Sequence, residues 1–326
     1  MTSLAIRSVS NQIAATMQVC AVRSTQVSYP TGNKAFAVQQ SFPNPITVEE
    51  SDPFLMCDHF GPVKSTHIAR HVDEFPVAWH PHRGMDICTY MVAGIGRHGD
   101  SLGNREVFSS PGLQWASVGS GIEHAEAGGT PIGQIQEGFQ LWINVPSANK
   151  MDDPRYGTVS DLPIARLKDG VSACVVSGKF DDFTGPFVTV QPLLILDISA
   201  DADTSFPLSI ATELDTTMIY VYHGQATVNG VDIMHEQIAL LNANDSNCRG
   251  ISISTKENGA RIIVFAGKKL KQQVAWHGPF VMTTQAELQS TFEELRRGTF
   301  PPIRAPFDYK KLSAFPKDHP AHTNFK

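Results

Sequence analysis

No stretch of 18 or more apolar residues occurs in the 326-residue chain, so no segment reads as a membrane-spanning helix. Charge is also scarce: Asp, Glu, Lys and Arg make up 18% of the residues, and the formal net charge is -6. That balance excludes nucleic-acid binding through a broad basic face. Cysteine is sparse and odd in number, and no two of Cys20, Cys57, Cys88, Cys174 and Cys248 form a CxxC pair. A disulfide framework is therefore not expected, and the thiols read as free, mostly buried groups of a reducing compartment. Acidic residues are missing altogether before Glu49, where Arg7, Arg23 and Lys34 lie among many Ser and Thr. Three basic residues are few for an organelle transit peptide, so a cytoplasmic location is expected, with nuclear location or organelle import as alternatives.

What is abundant is glycine (25) and proline (21), spread along the chain rather than clustered. Between them lie strand-length runs rich in Val, Ile, Tyr, Phe and Thr, among them ICTYMVAG (87–94), FQLWINVP (139–146), LLILDIS (193–199), TMIYVYHG (217–224) and ARIIVFAG (260–267). Short strands bounded by turn residues predict an all-β sandwich or barrel. MQVCAVRSTQVSY (17–29) reads as its first strand. One segment reads as helix. In 283–300, Thr284 stands three before Glu287, Leu288, Phe292 and Leu295 recur at helical spacing, and Gly298 sits at the C-terminal cap. The proline-bearing stretch after it reads as extended or loosely ordered. A weak repeat relates Tyr90–Gly94 to Tyr220–Gly224 and implies two similar β-barrel halves. The division expected is a flexible segment 1–16, a first barrel 17–165, a second barrel 166–284, and a helix and tail 285–326.

Chemistry concentrates in the first half, which holds seven of the twelve histidines between His59 and His124. In AWHPHRG, His80 and His82 are two apart, so on a strand both imidazoles share a face. By itself such a pair is as well explained by two surface histidines. Downstream, GSGIEHAEAGG places His124 and Glu126 at the same spacing, and the intervening residues suffice for three or four strands. Two neighbouring strands can then aim both pairs at one interior point. Three imidazoles and a carboxylate suit Fe(II), Mn, Ni, Cu or Zn, and leave positions open on an ion that accepts six ligands. Asp86 shares the parity of His80 and His82 and is a rival ligand, whereas Glu123 has the wrong parity and should face away. His98, in the glycine-rich GIGRHGDSLG, reads as an exposed loop or pocket-rim residue. His59, His67 and His71 read as loop residues or neighbours of the site. His223, His235, His277, His319 and His322 lack a partner at ligand spacing. In the second half, the positions corresponding to His80 and His82 fall on Ile210 and Thr212, so no metal is expected there.

The blocks FPVAWHPHRGMDICTYMVAGIGRHGDSLG, PGLQWASVGSGIEHAE, FQLWINVPSANKMDDPRY and HGPFVMTTQAEL, in this order between about residues 20 and 300, resemble the pirin family. The resemblance implies a bicupin: two tandem antiparallel β-barrels of the jelly-roll type with a short C-terminal helix. It implies an iron site in the first barrel whose ligands fall on His80, His82, His124 and Glu126, and it moves Asp86 to a supporting position. Two functions follow. One is an Fe(II)-dependent dioxygenase cleaving flavonols such as quercetin, with Glu126 also the general base and Phe75, Trp79 and Trp115 as an aromatic wall. The other is an iron-dependent redox-sensing module that acts on transcription through a protein partner. A monomer is expected. The chain departs from the family pattern at Ala116, Val118 and Ser120, and the segment after residue 300 looks long.

Overall fold

The computed structural model describes residues 15–316 apart from 31, 33 and 35. Residues 1–14 of the expected flexible segment 1–16, together with His319 and His322, lie outside the described residues. Twelve strands come first: β1 (Val19–Ser24), β2 (Gln26–Ser28), β3 (Val38–Phe42), β4 (Phe54–Lys64), β5 (Val77–His82), β6 (Met85–Ala93), β7 (Ile95–Asp100), β8 (Arg105–Ser109), β9 (Gly112–Ser117), β10 (Ile122–Gly128), β11 (Ile135–Asn144) and β12 (Arg155–Ser160). They form a seven-stranded sheet in the order β12-β9-β6-β11-β4-β3-β2 and a four-stranded sheet β5-β10-β7-β8. Both sheets are antiparallel and together make the first barrel. The second barrel is a nine-stranded sheet whose main path runs through Gln237–Leu241, Thr216–Val228, Gly250–Gly267, Leu193–Ala200, Val171–Ser177 and Ile164–Lys168.

Strand β1 corrects the expected division. Val19–Ser24 pairs with Gln237–Leu241 and so belongs to the second barrel, while β2 pairs with β3 in the first. Alternation within 17–29 marks a strand but carries no information about which edge it will join. The change of sheet along the chain falls between β12 and Ile164.

The two large sheets face one another across an apolar interface. Cys57, Tyr90, Trp115, Phe139, Leu141 and Ile143 of the first half pack there against Ile195, Tyr220, Tyr222, Ile263 and Phe265 of the second. Full burial of each such aliphatic or aromatic side chain is worth about 1.5–3 kcal/mol. The repeated tyrosines cross the interface in opposite directions. Tyr90 donates to Asp197 of the second half at 2.7 Å, and Tyr220 bonds His59 of the first at 3.2 Å. Tyr222 and Arg261 complete the shell around Asp197, at 2.7 and 2.6 Å. The second barrel's own interior is filled by aliphatics such as Leu196, Ile198, Ile219, Val221, Ile253 and Val264.

Two later elements return to the first barrel. A hairpin, Ala275–His277 with Phe280–Met282, leads into the helix Gln285–Arg297. The helix begins at Thr284 with the reciprocal Thr284–Glu287 capping box and ends at Gly298 with φ of +70°. Residues 305–315 then run over the outer face of the four-stranded sheet, where Leu312, Ala314 and Phe315 pack with Ala69, Val72, Phe75, Trp79 and Ala125. Residues 305–315 thus form a strap with a defined seat rather than a loosely ordered stretch.

Candidate metal centre

The four-stranded sheet carries the candidate site on the face opposite the strap. On β5, alternation sends His80 and His82 inward and Trp79 outward. Its neighbour β10 runs antiparallel with His124 directly opposite His80. A bulge between His124 and Glu126 then shifts the register. The next strand, β7, sets Asp100 opposite His124 and His98 opposite Glu126. Three adjacent strands therefore each contribute an i, i+2 pair to one face.

Potential ligand atoms of His80, His82 and His124 all lie within 4.8 Å of one another. His80 donates Nδ1–H to the Ala78 carbonyl at 2.7 Å, and His82 donates its own to the Pro279 carbonyl at 3.1 Å. A carbonyl can only accept, so each ring carries a hydrogen on Nδ1 and turns Nε2 inward. The Nε2 atoms of His80 and His124 are 2.9 Å apart, while that of His82 is buried with no partner. Two nitrogens bound side by side at about 2.1 Å from one ion would be separated by about 3.0 Å. Burial, then the neighbouring imidazoles, push His82 and His124 well below the usual histidine range. Convergent, incompletely bonded imidazoles, two of them fully buried, fit a first-row transition-metal ion.

Glu126 faces the same interior but its carboxylate is engaged elsewhere. Oε1 accepts from Thr89 at 2.8 Å and from Gln114, and Oε2 accepts from Gln140 at 3.2 Å. These donors belong to a polar row across the inner face of the large sheet, where cross-strand register aligns Gln40, Asp58, Gln140, Thr89 and Gln114. Burial raises Asp58 to about 6 against the hydrogen bond from Gln40. The sequence reading missed Thr89, Gln114 and Gln140, which share a row only once three strands are paired. A second potential ligand group joins Glu126 and His124 to His98 rather than to the other histidines.

His98 is the clearest correction at the site. It is fully buried on β7, not in a loop, with its ring stacked on Tyr156 at 4.1 Å. The signal was present, since His98 and Asp100 repeat the spacing of the other two pairs, but surrounding glycines suggested a hairpin tip. His59 is likewise a strand residue. It sits in the interface, where Glu137 accepts from His59 at 3.0 Å and from His223 at 2.6 Å.

Asp86, Trp115, Phe75 and Trp79 do not line the interior. Asp86 and Trp115 lie on neighbouring strands, bonded to each other at 3.0 Å, and Trp115 faces the second barrel. Phe75 and Trp79 lie under the strap on the outer face, Trp79 5.3 Å from Tyr309. Glu123 faces outward too, bonded to Tyr309 at 2.6 Å. Trp142 lies 5.0 Å from His82, and Met56 and Phe60 share the face of the large sheet that bears it. These three, with His80, Glu126 and Gln140, retain partial solvent exposure.

The residues after the HPH pair anchor it to the late elements. Buried Arg83 donates from Nε to the Ser120 carbonyl at 2.7 Å and from its amino nitrogens to Thr291 and Glu294 of the helix. Gly84 follows with φ of +82°, and a Cβ there would run into the Val281 carbonyl. Buried Lys150 donates to the carbonyls of Gly84 and Val281 and to Asn144. Burial lowers its pKa to about 8.

Two antiparallel barrels packed sheet to sheet, with an imidazole triad inside the first, define a bicupin with a candidate metal centre. The chain matches the Pirin family over residues 35–143 and the Pirin C-terminal cupin domain over residues 195–301. A pirin-like protein of Caulobacter vibrioides is 33% identical over 254 residues, covering 76% of this chain and 87% of its own. A Pseudomonas aeruginosa relative, named provisionally as a quercetin 2,3-dioxygenase, is 34% identical over 261 residues, covering 77% and 87%. Among solved structures, quercetin 2,3-dioxygenase from Acinetobacter baumannii superposes with a TM-score of 0.79 at 26% identity, over 88% of this chain and 99% of that one. The chain belongs to the pirin family.

Proposed function

We propose that this protein is a metal-dependent dioxygenase that opens the heterocyclic ring of flavonols, with Fe(II) held by His80, His82, His124 and Glu126. The observation that carries the reading is the histidine triad, whose rings converge with an unpaired Nε2 on buried His82. Support comes also from the likeness to the Acinetobacter quercetin 2,3-dioxygenase. When bound, such an ion supplies Lewis acidity and one-electron redox capacity. The chain's residues do the rest. Glu126, partly exposed and facing the interior, takes the proton of the substrate 3-hydroxyl. Thr89, Gln114 and Gln140 hold its carboxylate in place beforehand. Met56, Phe60 and Trp142 offer the apolar wall that a flat ring requires, in place of Phe75, Trp79 and Trp115. Both atoms of O2 enter the opened product and carbon monoxide leaves.

The test is anaerobic reconstitution with Fe(II), then quercetin and air, following loss of the flavonol absorbance and release of CO. Turnover that disappears in His82→Ala is the expected result. Stoichiometric iron without turnover would overturn the dioxygenase reading and favour the redox-sensing module.

A further inference from the structure

A histidine that binds a metal through one nitrogen ordinarily donates its other N–H to a fixed acceptor, which sets both tautomer and ring orientation. In the triad this requirement is met twice by backbone, through Ala78 for His80 and Pro279 for His82. For His124 no such partner is found: its Nε2 faces His80, and its Nδ1 is buried and unbonded.

His98 supplies the complementary half. The ring is wholly buried and gives Nε2–H to Asp100 at 2.9 Å. Asp100 is itself pinned by three further donors, the backbone N–H groups of Leu102 and Asn104 and the Asn104 side chain, at 2.8–3.0 Å. With Nε2 committed, the remaining His98 nitrogen, Nδ1, is also buried and unbonded. The ring centres of His98 and His124 are 5.4 Å apart, and a ligand nitrogen of each lies within 4.8 Å of the other and of Glu126. Stacking on Tyr156, whose hydroxyl donates to Gln114 at 3.1 Å, keeps the His98 ring from turning away.

We propose that Asp100 and His98 form a positioning relay for His124: Asp100 fixes His98 with its Nδ1 lone pair directed inward, and that lone pair accepts the Nδ1–H of His124 when His124 Nε2 serves the metal. Two enclosed, unbonded nitrogens thereby satisfy one another once the His124 hydrogen stands on Nδ1 instead of facing His80 from Nε2. The relay rests on reading the triad as a metal centre. His98 is a positioning residue in it, not a ligand.

Co(II) affinity, measured by competition with a chromogenic chelator, and the visible Co(II) spectrum test the relay in His98→Leu, His98→Gln and Asp100→Asn. Circular dichroism of the metal-free proteins monitors the fold. His98→Leu is expected to weaken Co(II) binding by about 10- to 100-fold and to shift the spectrum. His98→Gln keeps an acceptor oxygen and is expected to recover most of the affinity. Equal affinity and an unchanged spectrum in a folded His98→Leu would overturn the relay, as would a His98→Gln no better than His98→Leu. Should His98→Leu fail to fold, imidazole 15N–1H correlation of the Zn(II)-loaded parent decides. His98 protonated at Nε2 and His124 at Nδ1 is the expected pattern, and His98 protonated at Nδ1 would overturn it. A parent that takes up no Co(II) would overturn the metal centre and the relay together, which separates that failure from failure of the relay alone.

Discussion

The His82 side chain is buried and, among the described residues, makes one hydrogen bond, to a carbonyl that arrives from 197 residues further along the chain. His82→Ala is therefore expected to abolish high-affinity metal uptake while leaving a folded barrel, because both sheets are closed by backbone pairing and apolar contacts. Metal analysis alongside circular dichroism checks this, and full metal retention would remove His82 from the ligand set. Glu126→Gln is expected to keep part of the metal and to lower turnover by about 10²–10⁴-fold, the usual worth of a general base. Steady-state kinetics on the reconstituted variant decides, with near-normal turnover ruling Glu126 out as the base. At this scale, the residues legible in the sequence were those whose partners stand two positions away. The HPH and HAE pairs needed only strand alternation to be recognised. Thr89, Gln114 and Gln140 were invisible because their meeting depends on the register of three separate strands. Asp86 is misplaced for the opposite reason: its parity with His80 and His82 ignores the turn at Gly84, which puts Asp86 on a new strand with its own inner and outer faces.

The helix Gln285–Arg297 was readable to within a residue or two of its ends, since both of its caps are local chemistry. Its task was not readable. Buried Arg83, next to His82, reaches Thr291 and Glu294 on it, so the helix braces the strand that carries the HPH pair. Arg83→Met is expected to cost about 2–3 kcal/mol and to weaken metal binding, because Ser120, Thr291 and Glu294 lose a charged donor together. Thr284→Ala removes only the cap and is expected to cost about 1 kcal/mol with metal affinity unchanged. Urea denaturation and chelator competition on both variants separate bracing from helix stability. A loss of metal affinity in Thr284→Ala as large as in Arg83→Met would show that the bracing does not run through Arg83. Strand β1 illustrates the limit of sequence reading for elements: alternation identified it, and only the assembled sheets reveal that it closes the second barrel.

Across the whole molecule, buried ionisable groups have surroundings that oppose one another. Burial raises Glu137, but the hydrogen bonds from His223 and His59 outweigh it and hold the group at about 2. A depressed carboxyl stabilises the fold above its unfolded value of about 4.3, and that stability is lost as pH falls through the folded value. Asp58 and Asp86, both raised to about 6 chiefly by burial, act in the other direction. Each binds its proton earlier in the folded state, so stability gains as pH falls from about 6 toward 4. The expected thermal midpoint of the metal-free protein thus holds or rises between pH 6.5 and 4.5, then drops steeply toward pH 2. Glu137→Gln should flatten that lower limb. A variant with the parent's acid limb would show that the interface carboxylate does not control acid stability. The two-barrel architecture was legible from composition and the Tyr90/Tyr220 repeat. The opposite crossings of those tyrosines, and the cluster around Glu137, depend on how the halves face each other.

The strap at residues 305–315 and the Pro279 carbonyl impose an order on biosynthesis. A growing chain that has just released β12 from the ribosome already holds all four proposed ligands. It still lacks the acceptor for His82, the helix that braces Arg83, and the cover over Phe75, Trp79 and Ala125. The site is finished only when nearly the last described residues emerge, so metal loading belongs after translation rather than during it. A fragment ending at residue 165 should accordingly take up far less Co(II) than the full chain, and equal uptake by the two would place loading on the ribosome instead.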